Sequence, residues 1–402
     1  MEELHTHRLL VSCNNSNSSS GSAAAAGIIR NHHHISQSGD PHHHPRRDLL
    51  VSNNSNNNSS SKSPARTMSS KSTSSSPSDE VLLTRHGNKG IITMNREKAL
   101  NALNLSMIKS IYPQLRKWET DNDMRMVLIK GTGEKAFCSG GDVKAIAAAG
   151  RGSPLGEEFF RAEYRLNNQI GCYSLPYIAL INGICMGGGV GLSVHGAFRV
   201  ASEKAVFAMP ETAIGFFPDV GGSHFLPRLP GKLGLFLALT GHRLEGRDLF
   251  KAGVATHFVS SDRLPDLESD LMRMENPDLP SIHRLLSKYQ EQWEADHYKE
   301  FTLKPYIGRI NSCFGGNSVE EILSNLEQDN SDWSKKQLDR LNSFSPTSLK
   351  VTFRQIKEGA QLSLPDCLRM EFRMSMNFLQ HHDFFEGVTA GSCHLIILQF
   401  RF

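Results

Sequence analysis

The chain has 402 residues, enough for two or three domains and a full hydrophobic core. Its 44 Lys and Arg against 41 Asp and Glu leave a formal charge of +3, with no basic block in the part that reads as folded, so no nucleic-acid surface is expected. No uncharged run reaches the roughly 18 residues of a membrane span, and a soluble protein acting on a small molecule is the expectation.

Residues 1–78 form a distinct, low-complexity tail, with stretches such as "CNNSNSSSGSAAAA" and "NNSNNNSSSKSPARTMSSKSTSSSPS". So polar a segment buries too little apolar surface to offset its ordering entropy, and it is expected to be disordered. Its arginines (Arg8, Arg30, Arg46, Arg47, Arg66) and its lack of acids between Glu3 and Asp40 suit a mitochondrial transit segment. Glu2 and Glu3 weigh against that, leaving a cytoplasmic protein as the alternative. The two His triplets read as part of the solvated tract and not as a metal site.

Order is expected from about Glu80. "VLLTRHGNKGIITMN" holds two strand runs around the hairpin-like turn "HGNKG". In the next segment Leu100, Leu103, Met107, Ile108, Ile111 and Leu115 recur at helical intervals. "RMVLIKGTG" is a further strand. Strand, turn and helix then recur through "PYIALING" with "GGVGLSVHGAF" and through "FRVASEKAVFAMPE". Beyond Asn276 the pattern is mostly helical, with Ser345 before Pro346 as a helix cap. The fold class is therefore α/β, with a core over 79–270 and a helical C-terminal region over 271–388.

Two glycine-rich corners stand out. "KAFCSGGD", Lys135–Asp142, and "MGGGVGL", Met186–Leu192, each pass from a strand into a helix with no side chains to cover the backbone. Such corners expose N–H groups that can bind an anion, and two converging amides can stabilise a developing oxyanion. A tight turn or close helix packing is the alternative for either corner alone. "FAMPETAIGFFPDVGG" adds Glu211 and Asp219 in an apolar setting, where desolvation raises proton affinity and suits a base near neutral pH.

The seven cysteines are scattered and odd in number, which favours a reducing compartment over a disulfide framework. Cys138 has no histidine paired with it in sequence and reads as a packed small residue. His195 and His224 read as structural or peripheral.

"KAFCSGGD", "GICMGGGVGL" and "MPETAIGFFPDVGG" resemble the crotonase (enoyl-CoA hydratase/isomerase) superfamily. "FFRAEYRLN", "AMPETAIGFFPDVGGSHFLPRL" and "LALTGHRL" are similar to its 3-hydroxyisobutyryl-CoA hydrolase branch, over about Glu80 to Val388. The resemblance implies a crotonase-like spiral of ββα units, an acyl-CoA substrate, hydrolysis of its thioester, no cofactor beyond that CoA, no metal, and a homo-oligomer. It implies an oxyanion hole from the Ser139 and Gly188 N–H groups, Glu211 and Asp219 as the acids of hydrolysis, and Glu163 at the substrate's hydroxyl end. It also places CoA against Gly140, Gly141 and Asp142. From its own surroundings Glu163 could equally be an exposed helix acid.

Hydratases of the superfamily carry a second glutamate three residues beyond the middle glycine, and Gly191 stands there in this chain. Hydratase or isomerase chemistry on another short acyl-CoA, and a noncatalytic acyl-CoA binder, are the alternatives. Family members follow "FFEGV" with an arginine, whereas Thr389 occupies that position, so 389–402 is set apart as an atypical end.

Overall fold

The computed structural model describes residues 80–291 and 300–399, and for residues 291 and 391–399 the backbone alone. The expected tail over 1–78, with its transit segment and His triplets, lies outside the described residues, as do the last three positions of the atypical end.

Val81–His86 (β1) and Lys89–Met94 (β2) pair antiparallel, and Gly87 in the turn takes φ 60°, which a residue without a Cβ adopts freely. The helix that follows, Leu105–Glu119 (α1), begins later than the leucine spacing suggested. Asn104 caps it, accepting from the Met107 N–H at 2.9 Å. Upstream, the Asn101 amide donates to Thr132 O at 3.0 Å and Ala136 O at 2.8 Å, and Leu100 and Asn101 take left-handed φ values of 51° and 56°. These tertiary bonds pull Leu100–Leu103 out of helix and lay Leu103 beside Gly141 as an isolated β-bridge.

From there the chain repeats a two-strand unit. Met126–Gly131 (β3) and Ala136–Cys138 (β4) lead to helices Val143–Ala149 (α2) and Pro154–Gly171 (α3). Tyr177–Ile181 (β5) and Ile184–Met186 (β6) lead to Gly188–Ser193 (α4). Phe198–Ala201 (β7) and Val206–Ala208 (β8) lead to a 3₁₀ turn, Glu211–Ile214, and the short helix Gly222–Phe225 (α5). "SEKAVFA" thus supplies a second strand, and Glu211 opens a 3₁₀ turn. Leu233–Thr240 (α6), Leu244–Glu245 (β9), Arg247–Lys251 (α7) and His257–Phe258 (β10) complete the body.

The first strand of each unit joins a six-stranded sheet, ordered β1-β2-β3-β5-β7-β10, and the second joins a four-stranded sheet, β4-β6-β8-β9. Pairing is parallel from β2 to β10 in the first sheet and from β4 to β8 in the second. This is the expected spiral of ββα units. In the larger sheet β3, β5 and β7 are buried on both faces, which explains strands that read as unbroken apolar runs. Val127, Ile129 and Ala179 point into the main core, while Met126, Leu128, Ile178 and Leu180 pack against the helices Leu264–Arg273 (α8) and Leu279–Glu291 (α9).

The rest is helical: Ile307–Cys313 (α10), Val319–Asp329 (α11), Asp332–Asn342 (α12), Pro346–Gly359 (α13), Leu364–Phe378 (α14) and His382–Gln399 (α15). Ser345 caps α13, accepting from the Ser348 N–H at 3.1 Å, with Pro346 in the first turn. Thr389 lies within α15, which continues to Gln399. Among the described residues no helix is long and apolar enough to cross a membrane.

The two glycine corners meet. A Cβ on Gly189 would lie 2.2 Å from Cys138 O and 2.9 Å from Cys138 Cβ, so α4 can reach β4 only through a glycine. Gly189→Ala is expected to lower stability by about 1–3 kcal/mol, the usual cost of overpacking, as measured by the urea midpoint of the purified protein.

Candidate active site

Helix α3 carries the first acid. Ser153 caps it and Pro154 opens it, and its buried stripe runs through Phe159, Phe160, Glu163, Tyr164, Asn167 and Ile170. Glu163 falls on that stripe and is 2% exposed, which decides between its two sequence readings in favour of a buried acid. Glu211 starts its 3₁₀ turn and is 6% exposed, while Asp219 sits in the loop before α5 at 5%.

The glycines of α4 bring these acids to the backbone. A Cβ on Gly187 would stand 2.9 Å from Glu211 Oε1, and one on Gly188 would stand 2.5 Å from Glu163 Oε1 and 3.0 Å from Gly141 N. A side chain at 187 would be strained by φ 44° and crowd the Glu211 carboxylate, and one at 188 would crowd the Glu163 carboxylate and the Gly141 backbone. Glu163 Oε1 and Glu211 Oε2 are buried with no hydrogen-bond partner among the described residues.

Burial dominates the electrostatics. It pushes Glu163 well above the usual carboxylate range, with further upward pressure from the charges of Asp219 and Glu211. Glu211 is also pushed well up, by burial first and then by Asp219. Asp219 is raised by burial to about 7 and held from going higher by the Tyr164 hydroxyl, which donates to Asp219 Oδ2 at 2.7 Å. The three acids act on one another's ionisation and titrate as a group.

The amide opposite Gly188 is Gly141, which corrects the expectation for Ser139. The Ser139 N–H donates to Leu100 O at 3.1 Å and is taken up within the loop. Leu103 donates to Gly140 O and accepts from the Asp142 N–H, both at 2.8 Å, so the Gly141 N–H turns to the other side of that bridge, toward Gly188. Asp142 forms an ion pair with Arg96 at 3.2 Å. Gly140, with φ 120°, lies against Met186 O at 3.4 Å from its would-be Cβ.

The loop bearing Asp219 is pinned from several helices. Val220 takes φ 50°, a costly conformation for a β-branched residue. His195 Nε2 lies 2.7 Å from Val220 O, and Gln355 on α13 donates to Pro218 O at 2.6 Å. Glu371 on α14 accepts from the Gly221 N–H at 2.7 Å and the Ser223 N–H at 3.0 Å. The Tyr164 hydroxyl also lies 2.7 Å from Ser375 Oγ on α14. Sequence reading missed Tyr164, Asn167 and Glu371; the available signals were their helical spacing from Phe160, Glu163 and Leu368. Burial lowers His195 to about 4 and His224 to about 3, leaving both neutral at pH 7, and raises the Cys138 thiol to about 12.

A cavity of about 450 Å³ lies beside α3, lined by Ile146, Gly156, Arg161, Phe372 and Phe385 among others, and none of the three acids lines it. Among the described residues no group of three or more His, Cys, Asp or Glu is placed to share a metal ion.

The family model for enoyl-CoA hydratase/isomerase matches residues 89–393. The chain belongs to the enoyl-CoA hydratase/isomerase family. Within that family, a Gallus gallus protein named "3-hydroxyisobutyryl-CoA hydrolase, mitochondrial" is 58% identical over 312 residues, covering 77% of this chain and 81% of its own. The Homo sapiens protein of the same name is 54% identical over 314 residues, with 78% and 81% covered. Among solved structures of the fold, a carnitinyl-CoA dehydratase from Mycobacterium thermoresistibile is 36% identical with TM-score 0.73, covering 78% of this chain and 90% of that one. An enoyl-CoA hydratase from Rhodobacter sphaeroides 2.4.1 is 33% identical with TM-score 0.70 over the same shares.

Because Asp219 is raised to about 7, the folded chain holds a proton that the unfolded chain releases above about pH 4. Its burial therefore costs stability increasingly as pH rises from about 4 through 7. Asp219→Asn removes that cost. Its Tm is expected to exceed the parent's at pH 8, with the difference shrinking toward pH 4; a difference that grows toward acid would contradict the burial account.

Proposed function

We propose that the chain hydrolyses the thioester of a short β-hydroxyacyl-CoA, 3-hydroxyisobutyryl-CoA, to the free acid and CoA, a step of valine breakdown, in the mitochondrion. The observation that carries this reading is the pair of desolvated carboxylates, Glu163 and Glu211, against the Gly187–Gly188 backbone beside the Gly141 amide, with Asp219 acting on both through its charge. The names of the relatives support the same substrate and compartment.

In this reading the thioester carbonyl oxygen sits between the Gly141 and Gly188 N–H groups, which stabilise the negative charge it acquires. Glu211, beside Gly187, is the base that activates water or the nucleophile that attacks the carbonyl carbon. Its raised proton affinity makes it a stronger base than an ordinary carboxylate. Asp219 is its acidic partner, the one of the three eased toward ionisation by a hydroxyl donor, Tyr164. Glu163, disfavoured as an anion by both neighbours, keeps its proton and hydrogen-bonds the substrate hydroxyl. The chemistry needs no metal or redox cofactor, and CoA enters as part of the substrate.

Hydration is disfavoured because it requires a second acid at residue 191. A Cβ on Gly191 would lie 2.6 Å from Asn167 Nδ2 and 2.7 Å from Val220 Cβ, so the position is closed to a glutamate unless both move.

Glu211→Gln leaves shape and both amides in place, and CoA-ester binding is expected to survive while turnover falls about a hundredfold or more. The assay is CoA release from 3-hydroxyisobutyryl-CoA, with crotonyl-CoA as the hydration control. Rapid hydration of crotonyl-CoA with 3-hydroxyisobutyryl-CoA left intact would overturn the reading, and unchanged turnover in Glu211→Gln would remove that residue from the mechanism.

A further inference from the structure

Asn167 is fully buried, and neither its Oδ1 nor its Nδ2 has a hydrogen-bond partner among the described residues. Leaving both ends of a buried amide unmet is costly, so a group of this kind persists where something other than the fold meets it. Its position says what that is. Asn167 follows Glu163 by one turn of α3, and Gly191 follows Gly188 by one turn of α4. Glu163 lies against Gly188 and Asn167 lies against Gly191, with Nδ2 2.6 Å and Cγ 3.2 Å from the would-be Cβ. Val220, next to Asp219, closes the same point at 2.7 Å.

Asn167 therefore lies against the position of α4 that is one helical turn, about 5 Å, beyond the Gly188 amide. The hydroxyl of a β-hydroxyacyl group is three bonds from the carbonyl carbon, a reach of that order. A hydroxyl both donates and accepts; the protonated Glu163 meets it from one side, and the Asn167 carboxamide offers a further donor and acceptor beside it.

We propose that Asn167 is a specificity-determining residue that hydrogen-bonds the substrate hydroxyl and so selects β-hydroxyacyl over plain acyl chains. The proposal rests on the hydrolase reading above. A site built to meet a hydroxyl rejects the analogue that lacks it, because its own buried polar atoms are then left unpaired.

The test compares kcat/KM for 3-hydroxyisobutyryl-CoA with that for isobutyryl-CoA, in the parent and in Asn167→Leu, a near-isosteric apolar replacement. The parent is expected to prefer the hydroxylated ester. In Asn167→Leu that preference is expected to fall about tenfold or more, through loss on the hydroxylated ester, with Tm unchanged or raised because two unmet polar atoms are gone. Asn167→Ala, read by the same ratio, covers the case in which the leucine variant does not fold. A parent that prefers the hydroxylated ester, with a ratio unchanged in the variants, overturns this assignment alone; so does a parallel loss on both esters accompanied by a lower Tm. A parent that hydrolyses neither ester overturns the functional reading and this assignment with it.

Discussion

The structure depends on the approach of one short backbone stretch, Gly187–Gly189, to groups that admit no side chain. On one side lies Cys138 O of β4; on the others lie the Glu163 and Glu211 carboxylates and the Gly141 amide. The same absence of Cβ atoms that lets the two sheets and α4 close together leaves amides bare beside desolvated acids. Fold and chemistry share one steric condition, and a substitution in this triplet acts on both.

Burying three carboxylates within one another's field is unfavourable to stability, and the surrounding structure holds them there. The Asp219 loop is fixed by Tyr164 from α3, Gln355 from α13 and Glu371 from α14, so the C-terminal helices reach the site although none of the three acids lies on them. Glu371 is itself pushed up to about 8 by burial, against the pull of the hydrogen bonds it accepts from Ser223 and Gly221. A fold that tolerates such groups at its centre keeps proton affinity near neutral pH available to chemistry, at the expense of stability.

Much of this was legible in the sequence, for definite reasons. The "HGNKG" hairpin, the apolar runs of the doubly buried sheet and the Ser345-Pro346 cap are local signals, and they correspond to β1–β2, β3, β5 and α13. The three-residue strands β4, β6 and β8 are too short for any periodicity to register. The start of α1 was misplaced because Asn101 answers to carbonyls at 132 and 136, not to its neighbours in sequence. At the site, Glu211, Asp219 and Gly188 stood out by residue type and setting. The choice between Ser139 and Gly141 was not legible, since the direction of an amide is set by the Leu103–Gly141 bridge, a pairing of residues 38 positions apart. Glu371 was hidden for the same reason: its partners lie about 150 residues away in sequence.

The central claim is that hydrolysis runs on carboxylates whose proton affinity burial has raised. The pH dependence of kcat/KM for 3-hydroxyisobutyryl-CoA tests it most directly, because this profile reports the ionisations of the free enzyme. The account predicts activity that rises with pH through an apparent pKa near 7, where Asp219 gives up its proton, with no step near 4. An acid limb near pH 4, the range of a solvated carboxylate, would contradict it.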